Sequence, residues 1–150
     1  MKVIILGSGR VGSILAREMD RAGHDVTIID QNPESFRRLG RSYGGKTVVG
    51  NGLDQDVLRR AGLDKANAFV AVTQGDNRNI MSVQIAKEIF GIEKAVARIN
   101  DPARAFAYNA LGINTMCIAS IGAGLLRDYL LDQPSENVQT YCELGIEPEQ

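Results

Sequence analysis

The stretch Val3-Ile4-Ile5-Leu6-Gly7-Ser8-Gly9-Arg10-Val11-Gly12, continued at Val26-Thr27-Ile28-Ile29-Asp30, decides the fold. Four consecutive apolar residues closed by a glycine read as a parallel strand, because a strand covered on both faces needs no polar alternation. Behind Gly7-x-Gly9-x-x-Gly12, residues Val11, Ile14, Leu15, Ala16 and Met19 recur at helical spacing. In that context the three glycines have separate tasks. The first permits a tight turn, the second lets backbone approach a phosphate, and the third lets the helix pack close to the strand. The second strand ends in Asp30, 21 residues after Gly9, where a carboxylate can accept hydrogen bonds from ribose hydroxyls. Strand, glycine turn, helix, strand and terminal acid, in that order, predict a dinucleotide-binding unit whose helix N-terminus faces phosphates.

The alternation continues outward from this unit. Asn32-Pro33 opens a short helix through Phe36 and Leu39, and Thr47-Val48-Val49 is a third strand closed by Gly50-Asn51-Gly52. Asp54 caps a helix over 55–61, and the apolar run Ala68–Val72 is a central strand ending in Thr73-Gln74-Gly75-Asp76. A helix over 77–90, a strand over 95–99, a helix from Pro102 to Leu111, a short strand over 115–118 and a helix over 121–131 complete the rhythm. The pattern predicts an α/β Rossmann-like fold, a doubly wound parallel sheet of about six strands, over residues 1–132. Residues 133–150 read as a polar linker, an extra strand over 137–144, and a tail from Gly145 that is disordered or cut short.

Composition narrows the function. The 150 residues carry 44% hydrophobic and 23% charged residues with a formal charge of −1, which gives no electrostatic case for nucleic acid. The first residues enter a strand rather than a signal peptide, and no apolar run reaches membrane length, so a cytoplasmic protein is expected. Cys117 and Cys142 lie in strand-like segments without ligand spacing and are expected as buried thiols. Gly40-Arg41-Ser42-Tyr43-Gly44-Gly45-Lys46-Thr47 matches a phosphate-loop pattern by letter. Its order is inverted, however, with a helix before it and a strand after it, so amides and helix end cannot converge on phosphate.

The turns at the carboxyl ends of the strands hold the candidate site, because ligands bind there in doubly wound sheets. They contribute Gly7, Ser8, Gly9, Arg10, Val11 and Gly12, then Asp30, Gln31 and Asn32, then Asn51, Gly52 and Leu53, then Thr73, Gln74 and Gly75, and finally Arg98. Asp30 favours NAD or an adenine nucleotide over NADP, since a carboxylate repels a 2′-phosphate. Arg10 either reaches a terminal phosphate or pairs on the surface with a residue such as Glu34. Arg98 is either a second phosphate ligand or a subunit contact, and Asn51 either meets an adenine edge or only makes a turn. No catalytic set and no metal cluster is expected. The sole histidine, His24, sits in a helix-to-strand link.

These residues together resemble the nucleotide-binding TrkA-N, or RCK, domain of Trk/Ktr potassium-transport regulators. The resemblance runs over roughly 1–144. It rests on Gly7–Gly12, Gly23-His24-Asp25-Val26, Asp30-Gln31-Asn32, Val49-Gly50-Asn51-Gly52, Leu58–Leu63, Ala68–Thr73 with Asp76 and Asn79, Val96-Ala97-Arg98 and Leu111-Gly112-Ile113. It implies a non-catalytic gating subunit at the inner face of the membrane, which dimerises and assembles into a ring under a potassium transporter or channel. A second RCK-type chain is a possible ring partner. It also implies a response to ATP, ADP, AMP or NAD(H), with Arg10 on outer phosphates, Asp30 and Asn32 on ribose, Asn51 on adenine, and Thr73-Gln74-Gly75 lining the pocket. Two positions depart from the family pattern: Asn51 replaces a frequent Asp, and Ala119-Ser120 replaces Pro-Glu or Pro-Thr. The family's C-terminal ligand-binding subdomain is expected to be absent. The alternative is a short NAD-dependent oxidoreductase domain.

Overall fold

The computed structural model describes residues 1–146 of the chain. The strands are β1 (Lys2–Leu6), β2 (Asp25–Asp30), β3 (Lys46–Val49), β4 (Ala68–Ala71), β5 (Lys94–Arg98) and β6 (Thr115–Met116). They lie in the sheet order β3-β2-β1-β4-β5-β6, the order of a Rossmann fold. The four pairs from β3 to β5 are parallel, with Ile4 opposite Thr27 on one side and Phe69 on the other. The order reverses between β1 and β4, so the crevice of the sheet opens at the ends of those two strands.

Met1–Ala97 forms one compact unit and the chain from Arg98 onward a second. In the first, β1 is the axis. Ile4 and Ile5 are wholly buried, as are Val26, Ile28 and Ile29 of β2 and Phe69 of β4. Side chains alternate along a strand, so Val3 and Ile5 share one face, where they pack with Val26, Ile28, Ala68, Val72, Leu39 and Ala16 of α1 (Arg10–Arg21). The valines, isoleucines and leucine among them contribute about 1.5–3 kcal/mol each through burial. By contrast β3, with only Val48 half-buried, is an edge strand.

Capping by side chains sets several helix starts. Asp54 accepts from Asp56 N at the start of α2 (Gln55–Ala61), whose Val57, Leu58 and Ala61 are buried. Asn32 accepts from Glu34 N before Pro33–Leu39, which is a 3-10 helix rather than an α-helix. That helix before and β3 after the Gly40–Thr47 segment are the inverted order expected for it. α3 (Asp76–Glu88) follows β4 and buries Asn79, Ile80, Ser82, Val83 and Ala86. His24 in the α1–β2 link lies with Nδ1 3.1 Å from the amino terminus.

In the second unit, Asp101 accepts from Ala103 N and Arg104 N to cap α4 (Pro102–Ala110). The next helix, α5 (Ile118–Leu130), starts three residues earlier than its apolar spacing suggests, because Cys117 is already the extended N-cap residue. The expected strand over 137–144 is instead a short helix, α6 (Val138–Cys142). The reasons are local and tertiary. Asn137 accepts from Thr140 N as an N-cap, and Tyr141, buried, sends its hydroxyl to Asp128 of α5 at 2.5 Å. Arg127 bonds both Asp128 and Glu136, and Ser120 donates to the Leu144 carbonyl at 2.8 Å. Gly124 leaves room for the Tyr141 ring, into which any Cβ would project. Cys117 and Cys142 form no disulfide; Cys117 is buried, but neither lies in a strand, and Cys142 is only partly covered. The expectation for the end of the chain falls, from residue 147 on, outside the described residues.

Candidate functional site

At the sheet's switch point the first unit opens into a small cleft lined by Leu6, Gly7, Asp30, Gln31, Gly52, Thr73 and Arg78. Five of the seven are sequence-derived site residues, brought together from four separate turns. Leu6 and Arg78 are additions.

The Gly7 turn is held at both ends. Its φ of +105° suits glycine, and a Cβ there would meet Thr73 N at 2.9 Å. Its own N–H donates to Ile29 O at 2.8 Å, tying the turn to β2. Gly12 is needed for a different reason, since a Cβ on it would run into the Gly7 carbonyl. Gly9 faces no protein atom within 4 Å of a would-be Cβ. The chain's own packing therefore explains the first and third glycines and leaves the second for whatever approaches the turn. Gly9 is also the N-cap of α1, which has no side-chain cap and no acid in its first turn. The amides there are open to an anion and the helix end is electropositive.

Asp30 does more than present a carboxylate. One oxygen accepts from Ser8 N at 2.7 Å and the other from Asn32 N at 2.8 Å. It therefore staples the glycine turn to the turn after β2 while keeping lone pairs on the cleft side. Ser8, wholly buried, adds a bond from its hydroxyl to Ser35 O. Asn32 and Asn51 use their side-chain oxygens on their own turns, accepting from Glu34 N and Leu53 N. What each still offers a ligand is chiefly the Nδ2 donor. Gly52 lies flat on Leu6, whose methyl groups fill the place of a Cβ.

Thr73 is fixed by a residue outside the candidate set. Asn79, with no exposed surface, accepts from Thr73 N at 3.0 Å and from its hydroxyl at 2.6 Å, and donates to Thr73 O at 2.9 Å. Gly75 N in turn donates to the Thr73 hydroxyl. Asn79 thus shapes the wall that Thr73-Gln74-Gly75 presents. Its signal in the sequence is a polar residue at a buried helical position.

The remaining candidates sit around the cleft rather than in it. Ser8, Gly9, Arg10, Val11 and Gly12 run from the turn into α1, and Asn32, Asn51, Leu53, Gln74 and Gly75 stand on the other turns. Glu34 is taken by Arg37 at 2.9 Å, so the surface pair considered for Arg10 does not form. The exposed Arg10 side chain has no hydrogen bond or ion pair among the described residues. Arg98 ends β5, belongs to the second compact unit, and does not line the cleft. Among the described residues no group of three His, Cys, Asp or Glu could hold a metal ion, and no helix is long and apolar enough to cross a membrane.

Strand order, glycine turn and terminal acid together define a Rossmann-type α/β domain. Residues 3–119 match the TrkA-N domain model, and the chain belongs to that family. It is 48% identical over 136 residues to the Trk system potassium uptake protein TrkA of Streptomyces coelicolor, covering 91% of this chain and 61% of that protein. A TrkA homolog of Pyrococcus horikoshii is 38% identical over 104 residues, covering 69% and 46% respectively. The chain thus spans about half to three-fifths of these relatives' length. Among solved structures, the GsuK channel bound to NAD superposes with a TM-score of 0.73 at 26% identity, covering 87% of this chain and 23% of that one. GsuK is also known bound to ADP.

Proposed function

We propose that this chain is the nucleotide-binding part of a non-catalytic gating subunit of a potassium uptake transporter or channel, and that it senses ATP, ADP, AMP or NAD(H). The observation that carries this is the 48% identity to a Trk potassium uptake protein. NAD and ADP in the GsuK relative support the ligand class.

The residues fit such a ligand. The α1 amides around Gly9, with Val11 and Gly12 behind them, take the phosphates, and Arg10 adds a bidentate charge. Asp30, with Gln31 and Asn32 beside it, takes the ribose. Asn51 meets the adenine edge through Nδ2, while Gly52, Leu53, Thr73, Gln74 and Gly75 wall the slot. Arg98 serves either the phosphates or a neighbouring subunit. In this reading residues 1–132 are the nucleotide-binding domain, and 133–150 lead toward the C-terminal subdomain of longer regulators. Two copies pair, and pairs or a second RCK-type chain build a ring at the inner face of the membrane beneath the transporter. Sensing requires that two ring shapes bind the nucleotide with different affinity.

Calorimetry of the purified chain against ATP, ADP, AMP and NADH tests this. Binding of at least one is expected, without NADH turnover; binding of none overturns the proposal, and turnover with a small carbonyl substrate favours an oxidoreductase.

A further inference from the structure

Arg78 is a charged cleft-lining residue to which the proposed function gives no part. It lies in the first turn of α3, exposed, and shares the cleft with Leu6, Gly7, Asp30, Gln31, Gly52 and Thr73. Its guanidinium makes no ion pair or hydrogen bond among the described residues. Several other arginines of the first unit, though not Arg10, are engaged: Arg37 with Glu34, Arg59 with Asp56 and the Phe90 ring, Arg17 with Arg38 O. Asp30 carries the opposite charge in the same small cleft, yet the two do not approach to 4 Å.

The position of Arg78 selects its task. Phosphates belong to Gly9 and the α1 N-terminus, neither of which lines this cleft. Asp30 marks the ribose, and Gly52, packed on the Leu6 methyl groups, lines the cleft with it. Arg78 lines the same cleft. A planar guanidinium that has no partner of its own suits a planar ring, which it attracts through the ring face.

We infer that Arg78 closes a base slot in this cleft, laying its guanidinium over the purine. The inference rests on the nucleotide-binding proposal and assigns one specificity-determining residue to that site. Ligands with a flat purine are favoured over those offering only sugar and phosphate, whatever the phosphate number.

The test compares the wild-type chain with Arg78→Ala and Arg78→Lys, using AMP, adenosine and ribose 5-phosphate in calorimetry and competition. Arg78→Ala is expected to weaken AMP and adenosine by the same factor, about tenfold, and to leave ribose 5-phosphate unchanged. Arg78→Lys recovers only part of the loss, because it restores charge without the plane. Ligand-free melting of all three proteins should coincide, since the side chain is exposed and unpaired. Wild-type binding with unchanged affinity in Arg78→Ala overturns the role of Arg78 alone. A loss confined to AMP and ribose 5-phosphate also overturns it, by making Arg78 a phosphate contact. If the wild type binds neither AMP nor adenosine, the nucleotide proposal itself falls, and the base slot with it.

Discussion

Substituting the second and third glycines of the first turn separates folding from binding within four residues. At Gly12 an added methyl group meets the Gly7 carbonyl, which is backbone and is held from the other side by the bond between Gly7 N and Ile29 O. Neither partner can swing away, so α1 must lift off β1. Overpacking against side chains costs about 1–3 kcal/mol, and rigid backbone puts Gly12→Ala at or above about 3 kcal/mol. For a chain of this size that lowers the melting temperature by roughly 6–12 °C. At Gly9 nothing lies within 4 Å of the new methyl, and its φ of −78° is open to alanine. Two small terms oppose each other there: alanine is a poorer N-cap than glycine, and it restricts the unfolded chain. Their sum lies within about 0.5 kcal/mol of zero. The Gly9 methyl does, however, occupy the space a phosphate needs, so AMP or NADH affinity should fall at least about tenfold, a change of 1.4 kcal/mol. Thermal denaturation with and without nucleotide reads both effects. Gly9→Ala should melt like the wild type but lose the upward shift with ligand, and Gly12→Ala should melt early in either condition. Equal destabilisation by the two, or a full ligand shift in Gly9→Ala, would refute the reasoning.

Asn79→Ala removes three bonds to Thr73 from a wholly buried side chain. A loss of about 2–3 kcal/mol is expected in urea denaturation, and a change below a few tenths would show the Thr73 turn to be held by other contacts. The α5–α6 hairpin carries a pH signature. Asp128 sits below its ordinary value of 3.8 because the Tyr141 hydroxyl, then Arg127, hydrogen-bond its carboxylate. That stability is present above the unfolded value and fades as pH falls through the lower folded one. Tyr141 sits above 10.0, first through burial and then through its bond to Asp128. Its contribution is intact below 10.0 and is lost as pH rises through the higher folded value. Spectrophotometric titration should find Tyr141 ionising late, together with Tyr43, whose phenol is raised by burial and by Asp20 and Asp25. One step at the ordinary phenol value for every tyrosine contradicts this.

What was legible in the sequence follows the range of the forces. The apolar run of β1, the glycine turn, the caps at Asp54 and Asp101, and Pro33 and Pro102 at helix starts act within a few residues, and each element they define is present. The doubly wound parallel sheet followed from the alternation of those elements. The tail was misread because its helix depends on Tyr141 reaching Asp128, thirteen positions away, over a glycine on another helix. No period within 137–144 carries that information. Arg78 escaped for a related reason. On α3 it is one exposed arginine among many, and only the cleft it shares with Asp30 and Gly52 makes it notable. Asn51 spends its side-chain oxygen on Leu53 N of its own turn, a bond no residue type in the sequence announces.

Asp30 shows why the most telling residue in the sequence is a poor one to mutate. Its two oxygens accept from Ser8 N and Asn32 N, so the acid expected to hold ribose also holds the glycine turn in register with the next loop. Asparagine at this position keeps one acceptor and turns an NH2 donor toward one of those two N–H groups. Two donors then face each other across a partly buried gap, at a cost of about 1–3 kcal/mol before any ligand is added. Asp30→Asn should accordingly melt early without nucleotide and bind weakly with it, and neither result alone reports on ribose. The ratio of affinities does. If Asp30 contacts ribose hydroxyls, Asp30→Asn should weaken AMP by a larger factor than 2′,3′-dideoxy-AMP, which lacks them. Equal factors for the two ligands would confine Asp30 to the loop it braces, and leave Gly9 and Arg78 as the residues that meet the ligand.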